Sequence, residues 1–383
     1  MAKRTAENES EARKRRLPNP FTPTFGSIPV SLAGRGEIIE DVLEGLGNAP
    51  GDPNRTTVFV GARGTGKTAL LAYLAEKAEQ AGFVSVNVSC GDDLLEEVYE
   101  QVVEKADAFI VREADSRIVE ARVGAVAVAR QIDEKPTKSW RSRMTSVLKQ
   151  LDEAGVGLLI TVDEVNPRHD SLKKLVDVYQ HFVRERRNIA LLMAGLPSNV
   201  SLLLRDDDIS FFRRAFQHRM EAIPLNEVEL ALQETIETAG RSISRKALEM
   251  AAASTDGFAF MVQLVGYYAW RQHPAEGKIT KEDVEAAIAQ AKRDMERLVF
   301  ESTLRDLSPK DLAFLRAMAD DEGDSLISDV ALRMGVDASY ARHYKQRLVE
   351  QGIVGAVARG KVAFEIPGLR VYLRKTAEIA RLT

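Results

Sequence analysis

Along the chain the apolar positions change period several times, and the changes divide it. From about residue 28 to 222, short apolar runs alternate with stretches of helical period, which predicts a parallel sheet with crossover helices. TTVFVG (56–61), FVSVNVS (83–89), GLLITVDE (157–164) and NIALLMAG (188–195) read as strands, being too short and apolar for exposed helices. KTALLAYLAEKAEQAG (67–82) reads as an amphipathic helix ending at Gly82. Between the second and third strands lies a long insertion, whose segment 118–132 alternates β-branched residues in the manner of a hairpin. From 223 to 300 the pattern is wholly helical. NEVE (226–229) and TKED (280–283) each set a capping residue three ahead of an acid. From 301 to 383 three short helical patterns precede two strand-like runs around a turn at Arg359–Gly360. Residues 1–27 are polar, charged and proline-punctuated, and read as a basic disordered arm. The expected organisation is therefore an arm (1–27), an α/β core (28–222), a helical lid (223–300) and a C-terminal module (301–383).

Composition narrows the class. A chain of 383 residues with 45% hydrophobic and 29% charged content suits a soluble protein of two or three domains. No apolar run approaches the roughly 18 residues that span a bilayer, and the first 20 residues lack the apolar stretch of a secretory signal. Cys90 is the single cysteine, which permits no internal disulfide and fits a reducing cytoplasm. The histidines sit at no metal-ligand spacing. The net charge of −4 hides a segregation, since both ends of the chain are basic, RKRR at 13–16 included.

The chemistry is concentrated in VGARGTGKTALL (60–71), where Gly61, Gly66, Lys67 and Thr68 satisfy G-x-x-x-x-G-K-[ST] between a buried strand and a helix. In such a loop, successive backbone N–H groups curl inward around a phosphate at a helix N-terminus. The loop Gly61, Ala62, Arg63, Gly64, Thr65, Gly66, with Lys67, Thr68 and Ala69, is thus the expected phosphate cradle. Lys67 is expected on the β- and γ-phosphates and Thr68 on magnesium. The strand LLITVDE ends in two acids: Asp163 is expected to hold the metal, and Glu164 to polarise an attacking water. ATP and Mg2+ are the cofactors this pattern calls for, and hydrolysis to ADP and phosphate is the expected reaction.

With SLAGRGEIIEDVL (31–43) upstream and LLITVDEVN (158–166) downstream, the chain resembles the additional-strand P-loop ATPases, AAA+ and their STAND relatives. It is most similar to the branch near the origin-recognition and archaeal-type ATPases. The resemblance implies a core, lid and winged-helix order. It puts Gly34 and Arg35 near the base, Asn87 as a restraint on the catalytic glutamate, and Arg213 or Arg214 as a finger for a neighbouring subunit's nucleotide. A charged helix end pairing with the acids at 206–208 is the other reading of those arginines. The sequence departs from the family at Gly195, where a polar sensor is usual and Ser198 or Asn199 would substitute. It departs again at Ala259, which replaces a proline, in a lid that lacks the usual arginine. Tyr267, Tyr268 and Trp270 are expected in the lid core.

The last 83 residues have the punctuation of a winged helix-turn-helix: Gly335 ends one helix, Asp337 caps the next, and Gly352 ends that one before the wing. Leu348 and Val349 are expected inward, leaving Tyr340, Arg342, Lys345 and Arg347 outside, with Arg359 and Lys361 on the wing. Residues 337–383 carry nine Lys or Arg against four Asp or Glu. The expected partner is duplex DNA, with a protein partner or self-association as the alternative, and no membrane. The function expected from the sequence is a cytoplasmic switch coupling ATP binding and hydrolysis to DNA binding. A regulator with structural nucleotide, or a signalling scaffold, remains the alternative.

Overall fold

The computed structural model describes residues 17–24, 26–107, 139–207 and 209–382. The hairpin expected at 118–132 and the basic run at 13–16 lie outside them.

The first part is a three-layer α/β unit. Helix α1 (Gly36–Gly47) leads through a single 3-10 turn into β1 (Thr56–Val60), α2 (Lys67–Gln80), β2 (Phe83–Ser89) and α3 (Leu94–Lys105). After the insertion come α4 (Trp140–Glu153), β3 (Gly157–Asp163), α5 (Asp170–Arg184), β4 (Ile189–Gly195), α6 (Pro197–Arg205) and β5 (Phe216–Arg219). All five strands are parallel, in the order β2-β3-β4-β1-β5. β3 and β4 are almost wholly buried, as strands covered by helices on both faces must be. One face packs on α3, α4 and α5, the other on α1 and α2. β5 was not legible as a strand, because its exposed edge position leaves FQHR without an apolar run. Arg55 fastens the bottom of the unit, donating to the carbonyls of Gly45, Leu46 and Asn48 at the end of α1 (2.8, 2.7 and 2.6 Å).

The second part is helical: α7 (Leu225–Thr238), α8 (Arg245–Ala253), α9 (Ala259–Arg271) and α10 (Lys281–Met295). Thr280 and Asp283 form the expected capping box. The start of α7 differs from expectation. It begins at Leu225 after Pro224, and Asn226 lies inside the first turn without capping it. Two short strands, β6 (Ser242–Ile243) and β7 (Lys278–Ile279), pair in parallel within a stretch that the sequence pattern made wholly helical. α10 continues without a break through one π-helical stretch, Glu296–Glu301, into α11 (Ser302–Arg305).

The C-terminal part contains α12 (Pro309–Ala319), β8 (Ser325–Leu326), α13 (Ile327–Met334), α14 (Ala338–Glu350), β9 (Val354–Ala358) and β10 (Lys361–Phe364). It closes with α15 (Leu369–Leu382), a helix absent from the sequence reading. The three strands form an antiparallel ribbon in the order β8-β10-β9. A single hydrophobic cluster runs from the helical part through Phe300 and Leu307 into this unit, so the boundary expected at residue 300 cuts across a continuous core.

The segment expected as part of a disordered arm is docked where it is described. Phe21 is 2% exposed and lies against Gly266 of α9. Asn19 donates to the Tyr267 carbonyl (3.1 Å), and the Thr22 N–H to Gln263 Oε1 (3.1 Å). Burying one phenylalanine stabilises by about 1.5–3 kcal/mol, enough to hold a short segment that composition alone assigns to solvent.

Candidate nucleotide-binding site

The loop between β1 and α2 is shaped by glycine. Gly64 and Gly66 have φ of +80° and +89°, a region that side chains with a Cβ rarely adopt. At Gly64 a Cβ would also strike the Phe258 ring, and at Gly61 it would stand 2.8 Å from Met220 Cβ. The Gly61 N–H donates to the Gly195 carbonyl (3.2 Å), which ties the loop to the end of β4. Thr65 donates to the Ala62 carbonyl (2.9 Å) and braces the turn.

Lys67 folds over this loop, its Nζ donating to the carbonyls of Gly61 (2.8 Å) and Ala62 (2.6 Å). Burial pushes its pKa down to about 8; Asp163, and more weakly Glu164, oppose the shift, while Arg63 adds to it. The Thr68 hydroxyl donates to Asp163 Oδ2 at 2.5 Å. A threonine oxygen and one carboxylate side by side, next to a phosphate-loop motif, are hard oxygen donors that could hold a magnesium ion. These residues fit that ion. Glu164 has φ of +53°, and its backbone N–H donates to Asp163 Oδ1 (2.8 Å). Its carboxylate has no hydrogen bond or ion pair among the described residues.

A cleft of about 610 Å³ opens above the loop, bordered by Arg63 to Ala69, Asp163, Glu164 and Asn166. Its other walls come from each remaining part of the chain. Thr22 to Thr24 and Ser31 to Ala33 lie on one side, and Phe260 and Gln263 of α9 above the loop. Leu298, Val299, Ser302 and Thr303, along the π-helical connector, and Glu350 and Gln351, at the end of α14, complete it. α9 is pinned to the loop by the Phe260 N–H, which donates to the Gly64 carbonyl (3.2 Å). Ala259, where the resembled family has a proline, approaches Gly66. No sequence signal pointed to the 298–303 or 350–351 walls, because they converge only in three dimensions.

The remaining sequence-derived residues divide. Arg35 is buried beside the cleft, where it donates to the Glu221 carbonyl (2.9 Å), and burial lowers its pKa. Gly34 has φ of +65° and packs on Ile223. Asn199 borders the cleft and donates to the Val165 carbonyl (2.9 Å), whereas Ser198 lies buried with its hydroxyl unpaired among the described residues. Asn87 departs from expectation. Its Oδ1 accepts from Thr161 Oγ1 (2.7 Å) across the β2–β3 pair, so its side chain is engaged away from Glu164. Arg213 pairs with Asp207 (2.8 Å), as the alternative reading of that stretch had it, while Arg214 is exposed without an ion pair among the described residues.

On the C-terminal unit, the side chains of Arg342, Lys345, Arg359 and Lys361 have no hydrogen bond or ion pair among the described residues. Tyr340 is 43% exposed and accepts a hydrogen bond from the Tyr344 hydroxyl (2.8 Å). Arg347 corrects the expectation of a free charge. It forms an ion pair with Asp311, whose side chain is fully buried, and donates to Ser308 Oγ (3.2 Å), so it clamps α14 to the start of α12. Spacing on the helix gave no hint of this, since the acid lies 36 residues away.

Residues 52–204 match the family described as AAA domain, and residues 297–373 match a domain of unknown function. No curated protein matches the chain significantly. Among solved structures, the chain is similar to the Walker-type ATPase PABY2304 of Pyrococcus abyssi, at 14% identity and a TM-score of 0.62, over 90% of this chain and 96% of that one. It is also similar to the ORC2 protein of Aeropyrum pernix in its ADPNP–ADP complexes, at 14% identity and a TM-score of 0.57, over 94% and 98%. Against the ADP form of ORC2 the TM-score is 0.52 at 15% identity, over 94% of this chain and 97% of that one. At such identities the likeness is one of fold, and it extends over nearly the whole length of each chain. Taken with the strand order and the phosphate loop, the matched segment is similar to an AAA domain and has the fold of a P-loop core.

Proposed function

We propose that the protein binds and hydrolyses ATP, and that its C-terminal unit passes nucleotide state to duplex DNA. The observation that carries the nucleotide half is the clasp of Thr68 on Asp163 beside a glycine-shaped loop, with the Glu164 carboxylate unpaired among the described residues. Thr68 and Asp163 would hold Mg2+, which would supply charge neutralisation at the phosphates. Lys67 turns from the carbonyls it now holds to the β/γ-phosphate oxygens, the helix N-terminus of α2 binds the same charge, and Glu164 accepts a proton from the attacking water. Arg35, with Gly34, flanks the base end. Arg214 is available to a second copy's nucleotide, should the protein self-associate.

The DNA half rests on the element order α12-β8-α13-α14-β9-β10, which is that of a winged helix-turn-helix. It rests also on the unpaired Arg342 and Lys345 of α14 and Arg359 and Lys361 at the ribbon turn. A second reading, a protein-docking module, is favoured by one feature: Leu332 and Val357 of the same unit are 81% and 56% exposed. Steady-state ATP hydrolysis with and without duplex DNA tests the proposal. Lys67→Ala is expected to lose Mg-ATP binding, and Glu164→Gln to keep binding and lose turnover. Replacing Arg342 and Lys345 with alanine is expected to weaken DNA binding and reduce its salt slope by about 0.9 per lost phosphate contact. DNA titrations superimposable on those of the unaltered protein would assign the unit to protein docking instead.

A further inference from the structure

The C-terminal unit is docked on the nucleotide cleft by the last turn of α14. Glu350 Oε2 accepts from Arg168 Nη2 at 2.7 Å, and Arg168 stands four residues beyond Glu164, on the loop that leaves β3. Next to it, Gly352 lies so close to Leu196, at the start of α6, that a Cβ there would stand 2.7 Å from Leu196 Cδ2. Glu350 and Gln351 therefore border the same cleft as Lys67, Asp163 and Glu164.

Charge is distributed unevenly around that cleft. Its cationic lining residues are Arg35, Arg63 and Lys67, all on the loop and base side. The wall contributed by the connector and by α14 brings no cation and one carboxylate, Glu350. A nucleoside diphosphate is matched by the loop and its lysine. A third phosphate extends the negative charge toward the pair of acids after β3, in a cleft that also holds Glu350.

We infer that Glu350 makes the docked arrangement selective for a nucleoside diphosphate over a triphosphate. This rests on the nucleotide-binding reading above and adds the side chain that tells the two ligands apart. The triphosphate competes with the hold of Arg168 on Glu350. By reciprocity, any loosening of that hold by the triphosphate equals the gain in triphosphate affinity when the hold is absent.

The experiment measures the affinities of ADP and a non-hydrolysable ATP analogue, both with Mg2+, for the full chain and for Glu350→Gln and Glu350→Lys. The unaltered protein is expected to prefer ADP. Glu350→Gln is expected to tighten the analogue about five- to tenfold, with ADP changed less than twofold, and Glu350→Lys to tighten it further. A mere loss of the Arg168 pair would affect both variants alike, so a graded response to charge is the signature sought. Equal ratios in Glu350→Gln and Glu350→Lys, or a ratio unchanged from the parent in both, would overturn the inference while leaving the nucleotide site intact. Absence of binding of either nucleotide to the parent would overturn the nucleotide reading itself. Thermal melts of the variants without ligand check folding.

Discussion

Lys67 carries the most direct pH consequence. With its pKa lowered to about 8 by burial, it is protonated below that pH and increasingly neutral above it. Phosphate binding favours the charged form and raises the pKa of the complex. Affinity for ADP should therefore be flat below about pH 8 and fall by up to tenfold per pH unit above it, until the pKa of the complex is reached. Calorimetry in buffers of different ionisation enthalpy should register proton uptake over the same range. Glu164 offers a second test, because a glutamate at φ +53° is strained in a way that glycine relieves. Glu164→Gly should stabilise the fold by about 0.5–1 kcal/mol, once the greater entropy of the unfolded glycine is deducted, and abolish hydrolysis. A melting temperature below that of the parent would contradict it. Both residues were legible from sequence, because a phosphate loop and an acid at a strand end are local patterns. The strain at Glu164 and the lowered pKa of Lys67 were not, since each depends on neighbours brought in by folding.

Elements that bury a periodic apolar face were legible almost to the residue, as β2 (Phe83–Ser89) and the capping box of α10 illustrate. The pattern failed where an element is defined by its place in the assembly: β5 by its edge, β6 and β7 by a two-residue pairing, and 17–24 by one phenylalanine. α14 fails in a more instructive way. Its basic residues look equivalent on a helical wheel, yet Arg347 compensates a buried acid and Arg342 does not. Arg347→Ala leaves Asp311 buried and uncompensated and should destabilise the C-terminal unit by about 2 kcal/mol, a buried-pair loss discounted because the arginine is partly exposed. Arg342→Ala should stay within about 0.5 kcal/mol of the parent. Chemical denaturation of the two variants, followed by far-UV circular dichroism, measures the difference.

For the whole molecule, the continuous cluster across residue 300 packs the helical part and the C-terminal unit against each other. A chain ending at residue 300 would expose the apolar face that Phe300, Leu307 and Phe314 now share. It should therefore bind a hydrophobic dye and melt broadly, whereas two independent domains would leave a helical part that melts sharply. The π-helical stretch Glu296–Glu301 sits at their junction. Such a stretch is an α-helix carrying one surplus residue, absorbed locally so that the helix on either side keeps its face. Removing a single residue there should let the turn close as ordinary α-helix with the ribbon and α14 still aimed at the cleft. The same deletion inside Lys281–Met295 would swing everything beyond it by about 100°, the angle per residue of a 3.6-fold helix. Related sequences should accordingly tolerate a one-residue gap at 296–301 and nowhere else along this rod, and a deletion scan read out by ADP binding would map that tolerance.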